Sequence, residues 1–168
     1  MKYNKIALIG MMGSGKSAVA KILAKRLNYK LIELDEIFEQ QQNTTISNFF
    51  KKFGEEKFRQ IESNILKNSL EDNSIISTGG GIILKQENRN LLFSENILTI
   101  YLKASSEIIY DRIKNDKSRP LLLVENPKKE IENIIKKRES YYNQAKIKIN
   151  TDDKTIDKIV EEIWKKLQ

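Results

Sequence analysis

Lys5-Ile6-Ala7-Leu8-Ile9 runs without a break into Gly10-Met11-Met12-Gly13-Ser14-Gly15-Lys16-Ser17. The spacing G-x-x-x-x-G-K-[ST], between a short apolar strand and a segment of helical period, confines this stretch to a strand–loop–helix unit whose loop wraps a phosphate. Glycines at 10, 13 and 15 let successive backbone N–H groups converge on one anion. The first helical turn, at Lys16 and Ser17, adds unpaired donors and the positive end of the helix dipole. Lys16 supplies a mobile cation for β- and γ-phosphates, and the Ser17 hydroxyl is placed to ligate Mg²⁺. The competing reading is a glycine-rich turn with a surface lysine. The strand before the loop and the helix after it favour the phosphate site.

The rest of the chain repeats the alternation. Apolar runs at Lys5–Ile9, Leu31–Leu34, Ser74–Ser77, Ile97–Leu102 and Ile147–Asn150 read as strands. Between them, Val19, Ile22, Leu23 and Leu27 form one helical face, and Ile46, Phe49, Phe50 and Phe53 another, followed by Phe58, Ile61, Ile65 and Leu66. Helices are also predicted near Glu107, from about Lys128, and at the C-terminus, where Trp164 is expected as a core anchor. Strand and helix in alternation predict an α/β sandwich around a parallel sheet. Ligands in such sheets sit beyond the C-terminal strand edge, where the loop already lies. The polar segment Asn115–Lys128 holds both prolines and no helical period, and is expected to be a flexible flap.

Composition removes several chemistries. The 168 residues contain no histidine and no cysteine. That excludes thiolate metal sites, a cysteine nucleophile and the commonest general base, leaving proton transfer to a carboxylate, Lys or Tyr. No apolar run approaches the ~20 residues of a membrane span. The chain enters its first strand directly and is expected to be cytoplasmic, a monomer, and one domain over residues 1–168. The net charge of +7 is spread along the chain, for example at Lys128, Lys129, Lys136 and Lys137. Without a basic stripe interleaved with aromatics, this charge suits small anionic substrates rather than nucleic acid or a membrane.

Four further groups carry candidate chemistry. Glu33 and Asp35 close the second strand, and alternation would put both on one side, near the metal and an acceptor hydroxyl. They could equally be acids favoured at a helix N-terminus. Gly79-Gly80-Gly81 ends the third strand, which exposes N–H groups and clears room for a ligand. Arg59 and Glu62 share a helical face, so the carboxylate can orient the guanidinium fork toward an anion. Arg119 in the flap and Arg138 in a later helix could complete a clamp.

Taken in order, Gly10–Ser17, Asp35, Gly54-Glu55-x-x-Phe58-Arg59-x-x-Glu62, Gly79–Gly81, Arg112…Arg119-Pro120-Leu121-Leu122 and Arg138-x-x-x-Tyr142 resemble the shikimate kinase family over nearly the whole chain. The resemblance implies a three-layer α/β/α sandwich of P-loop kinase type with a five-stranded parallel sheet, a substrate-binding helical segment at about 35–62 and a mobile lid at about 112–126. It implies ATP and shikimate as substrates and Mg²⁺ as cofactor. Gly13, Ser14, Gly15, Lys16, Ser17 and Ala18 would bind the nucleotide, with Arg112 packed on the adenine and Arg119 closing over the phosphates. Asp35, Arg59, Gly80, Gly81 and Arg138 would bind the acceptor, and Lys16, Asp35 and Arg119 would carry catalysis. Ser17 and Glu33 would serve the metal. At Glu33 this chain departs from the aspartate usual in the family. Two other readings remain open at this point: another small-molecule kinase of the gluconate or nucleotide type, and a nucleotide-binding regulator without catalysis.

Overall fold

The computed structural model describes residues 3–115 and 124–168. Its centre is a five-stranded, wholly parallel sheet in the order β2-β3-β1-β4-β5. The strands are β1 (Lys5–Ile9), β2 (Lys30–Glu33), β3 (Ser74–Ser77), β4 (Leu98–Lys103) and β5 (Ile147–Asn150). The helices are α1 (Lys16–Leu27), α2 (Leu34–Gln42), α3 (Ile46–Asn68), α4 (Gln86–Leu92), α5 (Ser106–Ile113), α6 (Pro127–Tyr142) and α7 (Ile156–Leu167), with a 3₁₀ turn at Ile82–Leu84.

Side-chain alternation in β1 builds the three layers. Ile6 and Leu8 point to one face and pack with Val19 and Leu23 of α1 and Ile159 and Ile163 of α7. Ala7 and Ile9 point to the other, against Phe38 of α2, Phe49 and Phe58 of α3, Leu92 of α4 and Tyr142 of α6. Both faces of the sheet are therefore covered, as a parallel sheet requires. A smaller core of Met11, Ile109, Ile113 and Ile131 fastens α5 and α6 beside the loop after β1.

The order of the strands places the site. β1 and β3 are neighbours, yet β1 continues into α1 on one face while β3 continues into α4 on the other. Their C-terminal ends consequently diverge and leave a crevice, the usual place for a ligand in a doubly wound sheet. One wall is the loop Gly10–Gly15, and the other is Gly79–Gly81.

Local details depart from the sequence reading in four places. β2 ends at Glu33, so Leu34 and Asp35 belong to the first turn of α2 and strand alternation does not relate Glu33 to Asp35. The helical dipole claims Asp35 and Glu36 there, which is the alternative noted for them. α3 is interrupted at Gly54, whose φ of 81° and ψ of 169° leave the helical region and divide a phenylalanine-rich half from the half carrying Arg59 and Glu62. Trp164 is only half-buried, lying under the Arg26 guanidinium at 4.4 Å instead of anchoring the core. The 3₁₀ turn and α4 were not foreseen at all. Of the expected flap and lid, residues 116–123, including Arg119, lie outside the described residues.

Candidate active site

The loop after β1 is shaped by contacts that only glycine permits. A Cβ on Gly10, at φ +146°, would meet the Leu102 carbonyl oxygen of β4 at 2.5 Å. Gly13 and Gly15 take φ of 74° and 94°, and Gly15 is the N-cap of α1. Lys16 is buried, and its ammonium curls back so that Nζ donates to the Gly10 and Met11 carbonyls at 2.9 Å each. The cation thus lies inside the loop whose anion it would neutralise. Ser14 Oγ is buried with no hydrogen-bond partner among the described residues. Ser17 and Ala18 stand exposed on the first turn of α1. Arg112, from the last turn of α5, donates to the Gly13 carbonyl at 3.1 Å and to the Thr151 carbonyl beyond β5 at 3.3 Å. It therefore borders the outer side of the phosphate loop.

The Ser17 hydroxyl lies 3.4 Å from that of Ser77 at the end of β3, and it also faces Glu33. Burial pushes the Glu33 carboxyl above its ordinary range; neighbouring Glu36 and Asp35 add to this and the Ser17 hydroxyl opposes it. Among the described residues no three carboxylates converge on a point that would hold a cation unaided. One hydroxyl and one crowded carboxylate fit an ion that keeps water and phosphate oxygens as its other ligands, which is the habit of Mg²⁺.

The second wall carries anion-binding groups of another kind. Arg59 is nearly buried on the second half of α3. Its Nη1 donates to Glu62 Oε2 at 2.6 Å, while Nε and Nη2 both reach Glu55 Oε1 at 3.2 Å. Arg138 Nη1 and the Tyr142 hydroxyl of α6 both donate to the Gly80 carbonyl, and the Tyr142 ring stacks on Tyr101. Each glycine of the triplet admits a different group. A Cβ at Gly79 would come to 2.6 Å from Glu62 Oε1 and 3.1 Å from Asp35 Oδ1. One at Gly80 would press on the Met12 backbone nitrogen at 3.0 Å, and one at Gly81 would run into the Arg59 guanidinium. None of the three has positive φ, so close approach accounts for them and a left-handed turn does not.

The structure thus gathers Asp35, Arg59, Gly80, Gly81 and Arg138 beside the loop containing Gly13 to Ala18. Sequence reasoning gave Glu62 only the task of orienting Arg59. It is in fact 2% exposed, with Oε1 unpartnered among the described residues and lying beside Asp35. The i, i+3 spacing to Arg59 was the available signal. Burial raises the Glu62 carboxyl above its ordinary 4.5; the Arg59 guanidinium opposes this and Asp35 reinforces it. A group that binds its proton more tightly in the folded state gives its full stability below pH 4.5 and loses it as pH rises through the raised value. Urea midpoints of the wild type and Glu62→Gln from pH 4 to 8 should therefore diverge in favour of the variant as pH rises. A difference independent of pH would contradict the burial of an ionising group.

A loop of phosphate-binding sequence at the crevice of a parallel sheet, beside a wall that carries Arg59 and Arg138, is the layout of a phosphotransferase in which a nucleotide meets a small acceptor. That class is the P-loop kinases. Within it, the family model described as shikimate kinase matches residues 12–168, and the chain belongs to the shikimate kinase family. It is 38% identical over 164 residues to the shikimate kinase of Thermodesulfovibrio yellowstonii, covering 97% of this chain and 94% of that protein. The shikimate kinase of Acinetobacter baumannii, solved in complex with shikimate, superposes with a TM-score of 0.93 at 31% identity, over 98% of this chain and 93% of that one. A gluconokinase from Sinorhizobium meliloti superposes at 0.59 with 14% identity, which shows a shared fold and nothing more.

Proposed function

We propose that this protein transfers the γ-phosphoryl group of ATP to the 3-hydroxyl of shikimate, yielding ADP and shikimate 3-phosphate. The observation that carries this reading is the position of the glycine triplet. Gly80 packs on the phosphate loop at Met12 and Gly81 lies against Arg59, so a triphosphate on the loop and a carboxylate on Arg59 would lie side by side.

Phosphoryl transfer depends on alignment and charge neutralisation more than on covalent chemistry, and a chain without His or Cys lacks nothing it needs. The loop N–H groups from Gly13 to Ala18 grip the phosphates, and Lys16 moves from its loop carbonyls to the β- and γ-phosphate oxygens. Arg112 flanks the adenine. Arg59 and Arg138 receive the acceptor carboxylate, and Asp35 orients the 3-hydroxyl and accepts its proton. Arg119, although outside the described residues, belongs to this proposal as the cation that closes over the transferring group. Ser17, with Glu33 acting through water, would hold Mg²⁺, which neutralises charge shared by the β- and γ-phosphates. Residues 35–62 serve as acceptor segment within one domain, and of the lid expected at 112–126, residues 116–123 lie outside the described residues. No helix among the described residues is long and apolar enough to cross a membrane.

Coupled measurement of ADP release tests the substrate. Shikimate should support turnover while gluconate and nucleoside monophosphates should not. ATP binding without turnover on any acceptor, or turnover with gluconate alone, would refute the assignment.

A further inference from the structure

Resting on the acceptor assignment above, one feature of the arginine site has no part in the reaction as described. Arg59 is held by two carboxylates of unequal character. Glu62 is buried and wedged beside Gly79, and its contact with Arg59 is short. Glu55 is 57% exposed and reaches the guanidinium with a single oxygen, 3.2 Å from both Nε and Nη2. That pair of N–H groups is one of the two forks through which a guanidinium binds a carboxylate bidentately.

The charges around this point do not favour an anionic ligand while all are in place. Glu55 and Glu62 bring two carboxylates against the one Arg59 guanidinium. A carboxylate arriving from solvent reaches that guanidinium only where one of the two withdraws. Glu62 is enclosed. Glu55 faces water and directly follows Gly54, the residue at which α3 leaves helical geometry.

We propose that Glu55 is a specificity-determining residue that occupies the Arg59 fork as an internal stand-in for the acceptor carboxylate, and that acceptor binding exchanges one carboxylate for the other. A ligand must then outcompete a tethered carboxylate. Weak monovalent anions fail to do so, whereas a ring acid that also engages Arg138 and Asp35 succeeds. The fork stays filled until the right acid arrives.

The test is steady-state kinetics and calorimetric shikimate binding for the wild type, Glu55→Gln and Glu55→Ala, with acetate and chloride as competing anions. An exposed i, i+4 pair of this kind is modest, so both variants should bind shikimate about two- to fivefold more tightly. The KM for shikimate should fall in proportion, and acetate should inhibit at lower concentration, while the KM for ATP serves as internal reference. If Glu55 merely steadies Arg59, the same variants will bind shikimate more weakly, and that result, or unchanged affinity, overturns the exchange. Wild-type protein that neither binds nor phosphorylates shikimate would overturn the acceptor assignment and this inference together. Wild-type turnover with unimproved variants overturns the inference alone.

Discussion

Replacing Lys16 by alanine should reduce turnover by a hundred- to thousandfold or more, the scale seen when a preorganised charge is removed from a transition state. In phosphoryl transfer the charge to be stabilised lies on the transferring group and the bridging oxygen, and Lys16 is the cation the loop reserves for them. Shikimate affinity should change little, because Lys16 sits in the phosphate loop, where it donates to the Gly10 and Met11 carbonyls, while the acceptor carboxylate is assigned to Arg59 and Arg138. The variant also gives up two buried hydrogen bonds, a loss of about 1–3 kcal/mol in stability. Turnover must therefore be read at a temperature where circular dichroism shows the variant folded. Single-turnover assays with direct shikimate titration separate the two effects. A Lys16→Ala protein with near-normal turnover would remove the phosphate loop from the mechanism.

Arg59→Ala should act on the other substrate. Truncation removes the guanidinium that would hold the acceptor carboxylate and leaves Glu62 buried with neither oxygen paired among the described residues. Losing one member of a buried charge pair costs about 2–5 kcal/mol, most of which should appear as weakened shikimate binding. ATP affinity should hold, because the loop is built on β1 and α1 and touches the second wall through backbone at Gly80. Titration of each substrate into the variant measures both. An unchanged KM for shikimate would contradict the clamp.

Much of this architecture was legible before any coordinates. The five strands fall within a residue or so of their predicted positions because each is a short apolar run closed by a polar or glycine residue. The phosphate loop is legible for a stronger reason: Gly10, Gly13 and Gly15 are demanded by conformations that other residues avoid. What escaped depends on tertiary contact. Alternation carried past Leu34 relates Asp35 to Glu33 as readily as a helix N-terminus claims it, and the start of α2 at Leu34 decides for the helix. Gln86–Leu92 carries no apolar period beyond Leu91 and Leu92, so nothing announced α4. It is held instead by Asn88 donating to the Ile82 carbonyl and Arg89 donating to those of Ile83 and Leu84. Trp164 satisfied the apolar period of α7, yet Arg26 covers its ring at the surface.

The candidate site divides along the same line. Residue types and spacing named Lys16, while Arg59 and Arg138 were named through the family resemblance that the order of their motifs carries. The triplet at 79–81 was read as room for a ligand, whereas each missing side chain first makes room for part of the protein: Glu62 and Asp35, then Met12, then Arg59. Interlocking of that kind pairs residues far apart in the chain, and no local pattern encodes it.

A crystal structure with ADP and shikimate bound together tests the central claim most directly. The shikimate carboxylate should lie within about 3.2 Å of guanidinium nitrogens of both Arg59 and Arg138, with the 3-hydroxyl between Asp35 and the end of the ADP phosphates. Shikimate seated elsewhere, or both arginines turned away from it, would contradict the account.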